Sequence, residues 1–205
     1  YQLSCSEFRR FLSSYIYDKR SVYSQTLNLD SIQKQYLMDL LIENYQPANR
    51  EYLYNFLYDN CSTRVRDIIE KSTGNQITWI AQPSTKSFWN LLDEYLGRSP
   101  WIQWGIHTIL GSPATSTATL REQMFLPDYL MYHLDSAAYN GTPLVQPIET
   151  VYEAPEQDLS TPWYFSPFFV FAICTLALVS LLQKIKSRRL LKAIAIPFFV
   201  VTGIV

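Results

Sequence analysis

A cysteine at position 61 stands where an aromatic-rich segment gives way to apolar residues at helical spacing. Asp59 and Asn60 precede it, and either residue is a plausible N-cap of a helix that begins at the cysteine. In the first turn of a helix, unpaired backbone N–H groups and the positive end of the dipole favour thiolate over thiol. The positive charges of Arg64 and Arg66 act in the same direction. Cys61 is therefore the candidate nucleophile, with Asn60 and Arg64 as supporting candidates.

Two other roles for this cysteine remain open at the level of sequence. Free cysteine is among the most buried residue types, so Cys61 could simply fill the core. It could also form a disulfide with Cys5 if this part of the chain lies outside the cytoplasm. Both alternatives would leave the thiol without a chemical role.

Short runs around the cysteine and further downstream resemble the motifs of one family. The runs are Tyr54-Asn55-Phe56, Asp59-Asn60-Cys61-Ser62-Thr63-Arg64, Arg66-Asp67, Gly105-Ile106, Leu110-Gly111-Ser112-Pro113-Ala114 and Glu122-Gln123-Met124-Phe125-Leu126-Pro127-Asp128-Tyr129-Leu130. They resemble the Lnb N-terminal periplasmic domain family of bacterial envelope proteins, whose members are similar to papain-like and NlpC/P60-type thiol enzymes. The resemblance covers roughly residues 1–140.

The resemblance implies a fold and an activity. The fold would be α+β, mostly helical in this chain, with a papain-like thiol-enzyme domain that lacks its upstream sheet and is followed by transmembrane helices. The activity would be N-acylation of bacterial lipoproteins, in which a phospholipid acyl donor acylates Cys61 and the thioester passes its acyl chain to a lipoprotein acceptor. A cysteine peptidase or amidase, or a non-catalytic envelope scaffold or binding module, is the alternative.

Thiol acyl transfer also needs a base. The chain has two histidines, His107 and His133. His107 lies among apolar neighbours and His133 on a predicted helix surface, so neither is favoured. The resemblance implies a Gly-His motif upstream of the cysteine helix, and none occurs between Tyr1 and Asn60. Because the sequence begins without methionine and ends in an apolar run, we expect a fragment whose base is a histidine upstream of residue 1.

Composition excludes several other classes of site. The cysteines and histidines are scattered, so we expect no metal site. The six glycines form no phosphate-cradling loop, so we expect no nucleotide cofactor. The net charge of −1 and the absence of a basic face in the folded domain argue against a nucleic-acid partner.

Apolar periodicity and turn residues predict the elements that position the cysteine. The predicted helices cover 6–17, a segment that begins at Asp30-Ser31, a segment that begins at Pro47 and ends before Asp59, Cys61 to Gly74, 87–96, 101–110 and 128–138. The predicted strands cover 21–29 and 76–81. Together they form a periplasmic thiol-enzyme-like domain over residues 1–140.

The remainder of the chain predicts attachment to a membrane. An acidic, proline-rich linker covers 141–162, and the uncharged segment 163–183 is long enough for a transmembrane helix. The basic segment 184–192 is typical of a cytoplasmic loop, and 190–205 begins a second transmembrane helix. We therefore expect a bacterial inner-membrane protein with residues 1–160 on the periplasmic side.

Overall fold

The structure is a computed structural model that describes residues 1–80, 85–97, 99–155 and 161–184. Its chain divides into two compact units. Unit 1 comprises Tyr1–Lys86 and Thr117–Gln157, and unit 2 comprises Ser87–Ser116 and Asp158–Val205. The secondary structure is mixed α and β and mostly helical, as the sequence predicts. The papain-like arrangement of these elements stays a prediction.

Helices make up most of unit 1 and are accompanied by short antiparallel strands. The helices are α1 (Phe8–Tyr17), α2 (Ser31–Tyr45), α3 (Cys61–Ser72), α6 (Leu120–Gln123) and α7 (Pro127–Ser136). The strands are β1 (Val22–Ser24), β2 (Ile77–Thr78), β3 (Ala138–Tyr139), β4 (Thr142–Pro143) and β5 (Glu149–Tyr152). Strands β2, β3 and β4 form one sheet, and β1 pairs with β5 in another.

The core of unit 1 forms where α3 meets α7 and the chain that follows it. Its buried members are Leu29, Ile69, Met124, Leu130, Leu134, Ala137, Leu144 and Val145. Helix α2 packs along α3, and α7 packs against α3 as well. The cysteine helix is therefore fixed along its length by two other helices.

Capping residues determine where several helices begin. Asp30 accepts a hydrogen bond of 2.8 Å from the Gln33 N–H at the start of α2, and the Gln33 side chain accepts one from the Asp30 N–H. Asn60, rather than Asp59, caps α3 in the same reciprocal manner. These caps satisfy N–H groups that have no partner within the helix. The predicted starts of both helices are confirmed.

The prediction of a helix from Pro47 is wrong. Residues 46–58 form turns and extended chain. The Asn55 side chain accepts hydrogen bonds of 3.1 Å from the N–H groups of Leu57 and Tyr58, and Asn55 and Asp59 exchange backbone hydrogen bonds of 2.9 Å. Asparagine offers the backbone this local alternative to a helix, which the apolar spacing alone does not reveal.

The predicted linker over 141–162 includes residues that belong to the folded unit. Leu144 is completely buried and Val145 nearly so. Strand β5 then pairs antiparallel with β1, with Val22 opposite Tyr152. The acidic, proline-rich composition led to the linker interpretation, but Leu144 and Val145 belong to the core of unit 1 and β5 completes one of its sheets.

Unit 2 contains the helices α4 (Phe88–Leu96), α5 (Pro100–Leu110) and α8 (Pro167–Lys184). Aromatic residues join α5 to the start of α8, since the Trp101 indole N–H donates to the Phe165 carbonyl at 2.6 Å. The Trp104 and Phe171 rings lie 5.1 Å apart, centre to centre. A 3₁₀ turn over Trp163–Phe165 precedes α8, so the helix begins later than position 163.

Within the ranges that the structure describes, no helix combines the length and apolar character that crossing a bilayer requires. The transmembrane helix over 163–183 stays a prediction. The basic loop over 184–192, beyond its first residue, and the second span over 190–205 lie outside the described residues.

Candidate functional site

Cys61 is the first residue of α3, directly after the cap. The Asn60 side-chain oxygen accepts hydrogen bonds from the N–H groups of Ser62 (2.9 Å) and Thr63 (3.0 Å). The Thr63 hydroxyl accepts one from the Asn60 N–H at 2.8 Å. Two first-turn N–H groups are thereby occupied. The Cys61 N–H makes no hydrogen bond to any described residue, so it remains available to a ligand.

Asn60 has a second structural role beyond the cap. Its carboxamide N–H₂ donates to the Phe56 carbonyl at 2.9 Å and to the Phe125 carbonyl at 2.8 Å. The residue is buried, at 4% exposure. Every polar atom of the side chain is therefore engaged in holding the backbone around the cysteine, which makes Asn60 a positioning residue.

Two further residues of α3 bind the same downstream segment. The Ser62 hydroxyl donates to the Met124 carbonyl at 2.8 Å, and the Arg66 guanidinium donates to the Arg121 carbonyl at 2.8 Å. The runs of sequence around Cys61 and around residues 122–130 are therefore parts of one structure. Sequence reasoning noted Ser62 only as a member of a motif and Arg66 as a nearby positive charge, and their periodicity on the buried face of α3 was the available signal for these contacts.

The thiol itself is exposed and free. Cys61 and Cys5 are both unpaired and solvent-exposed, so Cys61 neither fills the core nor forms a disulfide with Cys5. Cys61 lines a cavity of about 330 Å³ in unit 1. The walls come from residues 2–4, helix α2, the segment 49–52 and helix α3. This volume is at the lower end of the range for ligand pockets.

The pKa values of two tyrosines, Tyr52 and Tyr54, depend on the charge of the Cys61 sulfur. Burial raises the pKa of Tyr52 and of Tyr54, and a negative charge on the Cys61 sulfur raises both pKa values further. Tyr1 stacks on the Tyr54 ring with 4.0 Å between centres. Both hydroxyls therefore keep their protons at neutral pH.

Arg64 is paired with a carboxylate. Its guanidinium donates two hydrogen bonds to Asp59, of 2.7 and 2.8 Å, and stacks over the Tyr52 ring at 3.9 Å from its centre. The hydrogen bond to Asp59 raises the pKa of Arg64. Because Asp59 balances much of its charge, Arg64 does less to stabilise a thiolate than its position in the sequence indicates. Its supporting role at the site stays a prediction.

None of the described residues that line the Cys61 cavity is a histidine. His133 of α7 is half-buried, its Nε2 lies 3.4 Å from the Gln123 side-chain oxygen, and burial lowers its pKa. His107 belongs to unit 2, where its Nε2 lies 2.8 Å from an Asp93 carboxylate oxygen and its ring stacks on Trp89. That Nε2–Asp93 contact has ion-pair distance without the alignment of a hydrogen bond.

Within the described ranges, no cluster of three histidine, cysteine, aspartate or glutamate side chains could hold a metal ion. The reactive and hydrogen-bonding groups of the residues in the cavity wall include the Cys61 thiol and N–H, the Tyr52 hydroxyl and the guanidinium groups of Arg50 and Arg64. These groups suit nucleophilic attack on a carbonyl and hydrogen bonding to the oxygen that becomes charged.

Comparison with known proteins identifies one family. The model of the Lnb N-terminal periplasmic domain matches residues 1–93. The match includes helices α1 to α3 and Cys61, and it confirms the resemblance over this part of the chain. The description of the domain as periplasmic supports a periplasmic location for the segment. No curated protein and no solved structure matches the chain.

Proposed function

We propose that this chain, a member of the Lnb N-terminal periplasmic domain family over residues 1–93, is a cysteine-dependent acyltransferase of the bacterial envelope. The proposed reaction is N-acylation of bacterial lipoproteins, with a membrane phospholipid as the acyl donor. The observation that carries the proposal is the position of Cys61, exposed at the start of α3 and in the wall of a cavity.

In the first half-reaction, the Cys61 sulfur attacks the carbonyl carbon of a phospholipid ester. A carbon–sulfur bond forms and the bond to the glycerol oxygen breaks, which leaves an acyl thioester on the enzyme. The thiol proton passes to a base and then to the departing glycerol oxygen. The Cys61 N–H is free to donate to the carbonyl oxygen as negative charge develops there.

In the second half-reaction, the amino group of the lipoprotein's amino-terminal cysteine attacks the thioester. An amide bond forms, the carbon–sulfur bond breaks, and the amine proton is accepted by the base. The family resemblance implies that this base is a histidine upstream of the cysteine helix. His133, whose lowered pKa reflects burial beside Gln123, is not the base we propose.

Attachment to the membrane is part of the proposal. Donor and acceptor both lie at a bilayer surface, and the apolar segment 163–183 would keep the enzyme there. The aromatic residues that precede and begin α8, including Trp163, Tyr164 and Phe168, are exposed. Exposed tryptophan and tyrosine are typical of the membrane–water interface. Residues 1–160 would then lie in the periplasm.

One observation favours a second candidate function. The described walls of the Cys61 cavity contain no histidine, as expected of an envelope scaffold that keeps the shape of the domain without its chemistry. A peptidase or amidase is the third possibility, because water can also resolve a thioester. The three functions differ in whether a thioester forms and in what removes it.

An acyl-labelling experiment tests the proposal. The full-length protein in membranes is incubated with a phospholipid that carries a labelled acyl chain, and hydroxylamine-sensitive label is mapped by mass spectrometry. We expect label on Cys61, loss of that label in Cys61→Ala, and its retention in Cys5→Ser. Addition of a lipoprotein peptide should transfer the label to the peptide amine. A correctly folded wild type without label would contradict the proposal and favour the scaffold, whereas release of label to water alone would favour a hydrolase.

A further inference from the structure

Arg50 lies in the wall of the same cavity as Cys61 and has no partner there. Its Nε atom is completely buried and makes no hydrogen bond, and no described residue accepts a hydrogen bond from its terminal N–H₂ groups, which are the donors that a ligand in the cavity can reach. Among the described residues, no carboxylate forms an ion pair with its guanidinium. Arg64, the other arginine in the cavity wall, is instead paired with Asp59 through two hydrogen bonds.

A buried donor without a partner is costly, because burial removes the water that would otherwise bind it. The planar guanidinium group presents a fork of N–H donors that matches the oxygen atoms of a carboxylate or a phosphate. The described cavity walls contain no acidic residue that could satisfy this fork. The arrangement around Arg50 therefore favours an anionic ligand.

Part of the cavity wall is apolar. Leu3, Leu41, Val65 and Ile68 contribute to the walls, together with the Cys61 thiol. A cavity of about 330 Å³ is too small for a whole phospholipid but suits the portion where a charged group joins the first part of a hydrocarbon chain. A free inorganic anion would leave the apolar wall uncovered.

We infer that the cavity binds an amphiphile through its phosphate group, with Arg50 as the anchoring residue and the apolar wall in contact with the adjoining hydrocarbon. The inference rests on the proposed function, and it assigns Arg50 a specificity-determining role for the donor. A phosphate anchored by Arg50 would hold the reacting ester inside the cavity that contains the Cys61 sulfur. Binding itself does not require that the thiol be acylated.

Protection of Cys61 from alkylation measures this binding. The full-length protein is treated with iodoacetamide, a neutral reagent, and the rate of modification of Cys61 is followed by peptide mass spectrometry. The probes are dodecyl phosphate, dodecyl maltoside and inorganic phosphate. We expect dodecyl phosphate to slow the reaction of Cys61, dodecyl maltoside to do so much less, and inorganic phosphate to protect only at far higher concentration.

Variants of the arginine give the decisive comparison. In Arg50→Gln, the half-protecting concentration of dodecyl phosphate should rise about tenfold or more, which is the loss expected for hydrogen bonds to a charged group. Arg50→Lys keeps the charge without the planar fork, so its half-protecting concentration should lie between those of Arg50→Gln and wild type. Arg10→Gln removes an exposed arginine of α1 and should leave the protection unchanged. Each protected rate is divided by the unprotected rate of the same variant.

The outcomes separate this inference from the proposed function. Equal protection in wild type and in folded Arg50→Gln would overturn the role of Arg50. Equal protection by dodecyl maltoside would overturn phosphate recognition, and equal protection by inorganic phosphate would overturn the amphiphile. Protection that depends on Arg50, in a protein that forms no acyl thioester, would support the binding site and contradict the acyltransferase.

Discussion

The carboxamide of Asn60 donates a hydrogen bond of 2.8 Å to the carbonyl oxygen of Phe125, 65 residues further along the chain. Ser62 and Arg66 make similar bonds to neighbouring carbonyls of the same segment. The start of the cysteine helix is thus fixed from outside as well as by its own cap. A nucleophile that must meet a carbonyl within a narrow range of angles requires such support.

Asn60→Ala should destabilise the protein by about 2–4 kcal/mol, from the loss of a helix cap and two hydrogen bonds to buried or half-buried carbonyls. Asn60→Ser keeps a capping oxygen and loses the two donated bonds, so it should cost about 1 kcal/mol less. Urea unfolding measures both. Equal stabilities of Asn60→Ala and wild type would show that these contacts are not important for the fold.

Two arginines of α3 should differ in their importance for stability. Arg66 is buried and binds Asp67 and the Arg121 carbonyl, so Arg66→Ala should cost about 1–3 kcal/mol through the lost hydrogen bonds. Arg64 is exposed, and Arg64→Ala should cost less than about 1 kcal/mol in spite of its two bonds to Asp59. Thermal and urea unfolding of the two variants provide the comparison, and similar losses would be evidence against the buried role of Arg66.

Leu144 tests whether the segment after α7 belongs to the folded unit. It is completely buried, so Leu144→Ala should cost about 2–5 kcal/mol. Leu53→Ala is the matched control, because Leu53 is 93% exposed and its loss should change the stability by no more than about 0.5 kcal/mol. If Leu144→Ala proved as neutral as the control, the linker interpretation of this segment would be correct.

His133 should make the stability of the protein depend on pH. Burial beside Gln123 lowers its pKa below the value of about 6.5 in the unfolded chain, so the unfolded state binds the proton more readily. Stability should therefore decrease as the pH falls below about 7. His133→Gln should reduce this decrease, as measured by urea unfolding at several pH values.

The control for this titration is His107→Gln, which removes the other histidine of the chain. In this variant, His133 should still make the free energy of unfolding decrease as the pH falls. If the free energy of unfolding depended on pH in the same way in His133→Gln and in wild type, the pH dependence could not be attributed to His133.

The sequence predicted the parts of the fold that depend on local interactions. The starts of α2 and α3 followed from Asp30 and Asn60, because a cap is recognised within three residues of the helix it begins. The pairing of β1 with β5 could not be predicted in this way, since the two strands are far apart in the chain and neither has a strong pattern. The turn at Asn55 was missed because aromatic residues at helical spacing surround it.

In the candidate site, too, the sequence predicted the local features and missed those that depend on contacts between distant parts of the chain. The position of Cys61 at a helix start was evident from the sequence, and the structure adds that the thiol is exposed. The contribution of Arg50 could not be predicted, because the cavity forms only when residues 2–4, α2 and α3 come together. The pairing of Arg64 with Asp59 likewise depends on how the side chains fold back at the start of α3.

The most direct test of the central claim is the alkylation rate of Cys61 relative to Cys5 in the same full-length protein. Both thiols are exposed and free, so access alone does not separate them. Cys61 also lies at the positive end of a helix dipole, which should make it react about fivefold or more faster than Cys5 at neutral pH. Cys61→Ser and Cys5→Ser identify the two signals. A faster Cys61 is the result that this account predicts, and a Cys61 that reacts no faster than Cys5 would contradict an activated nucleophile.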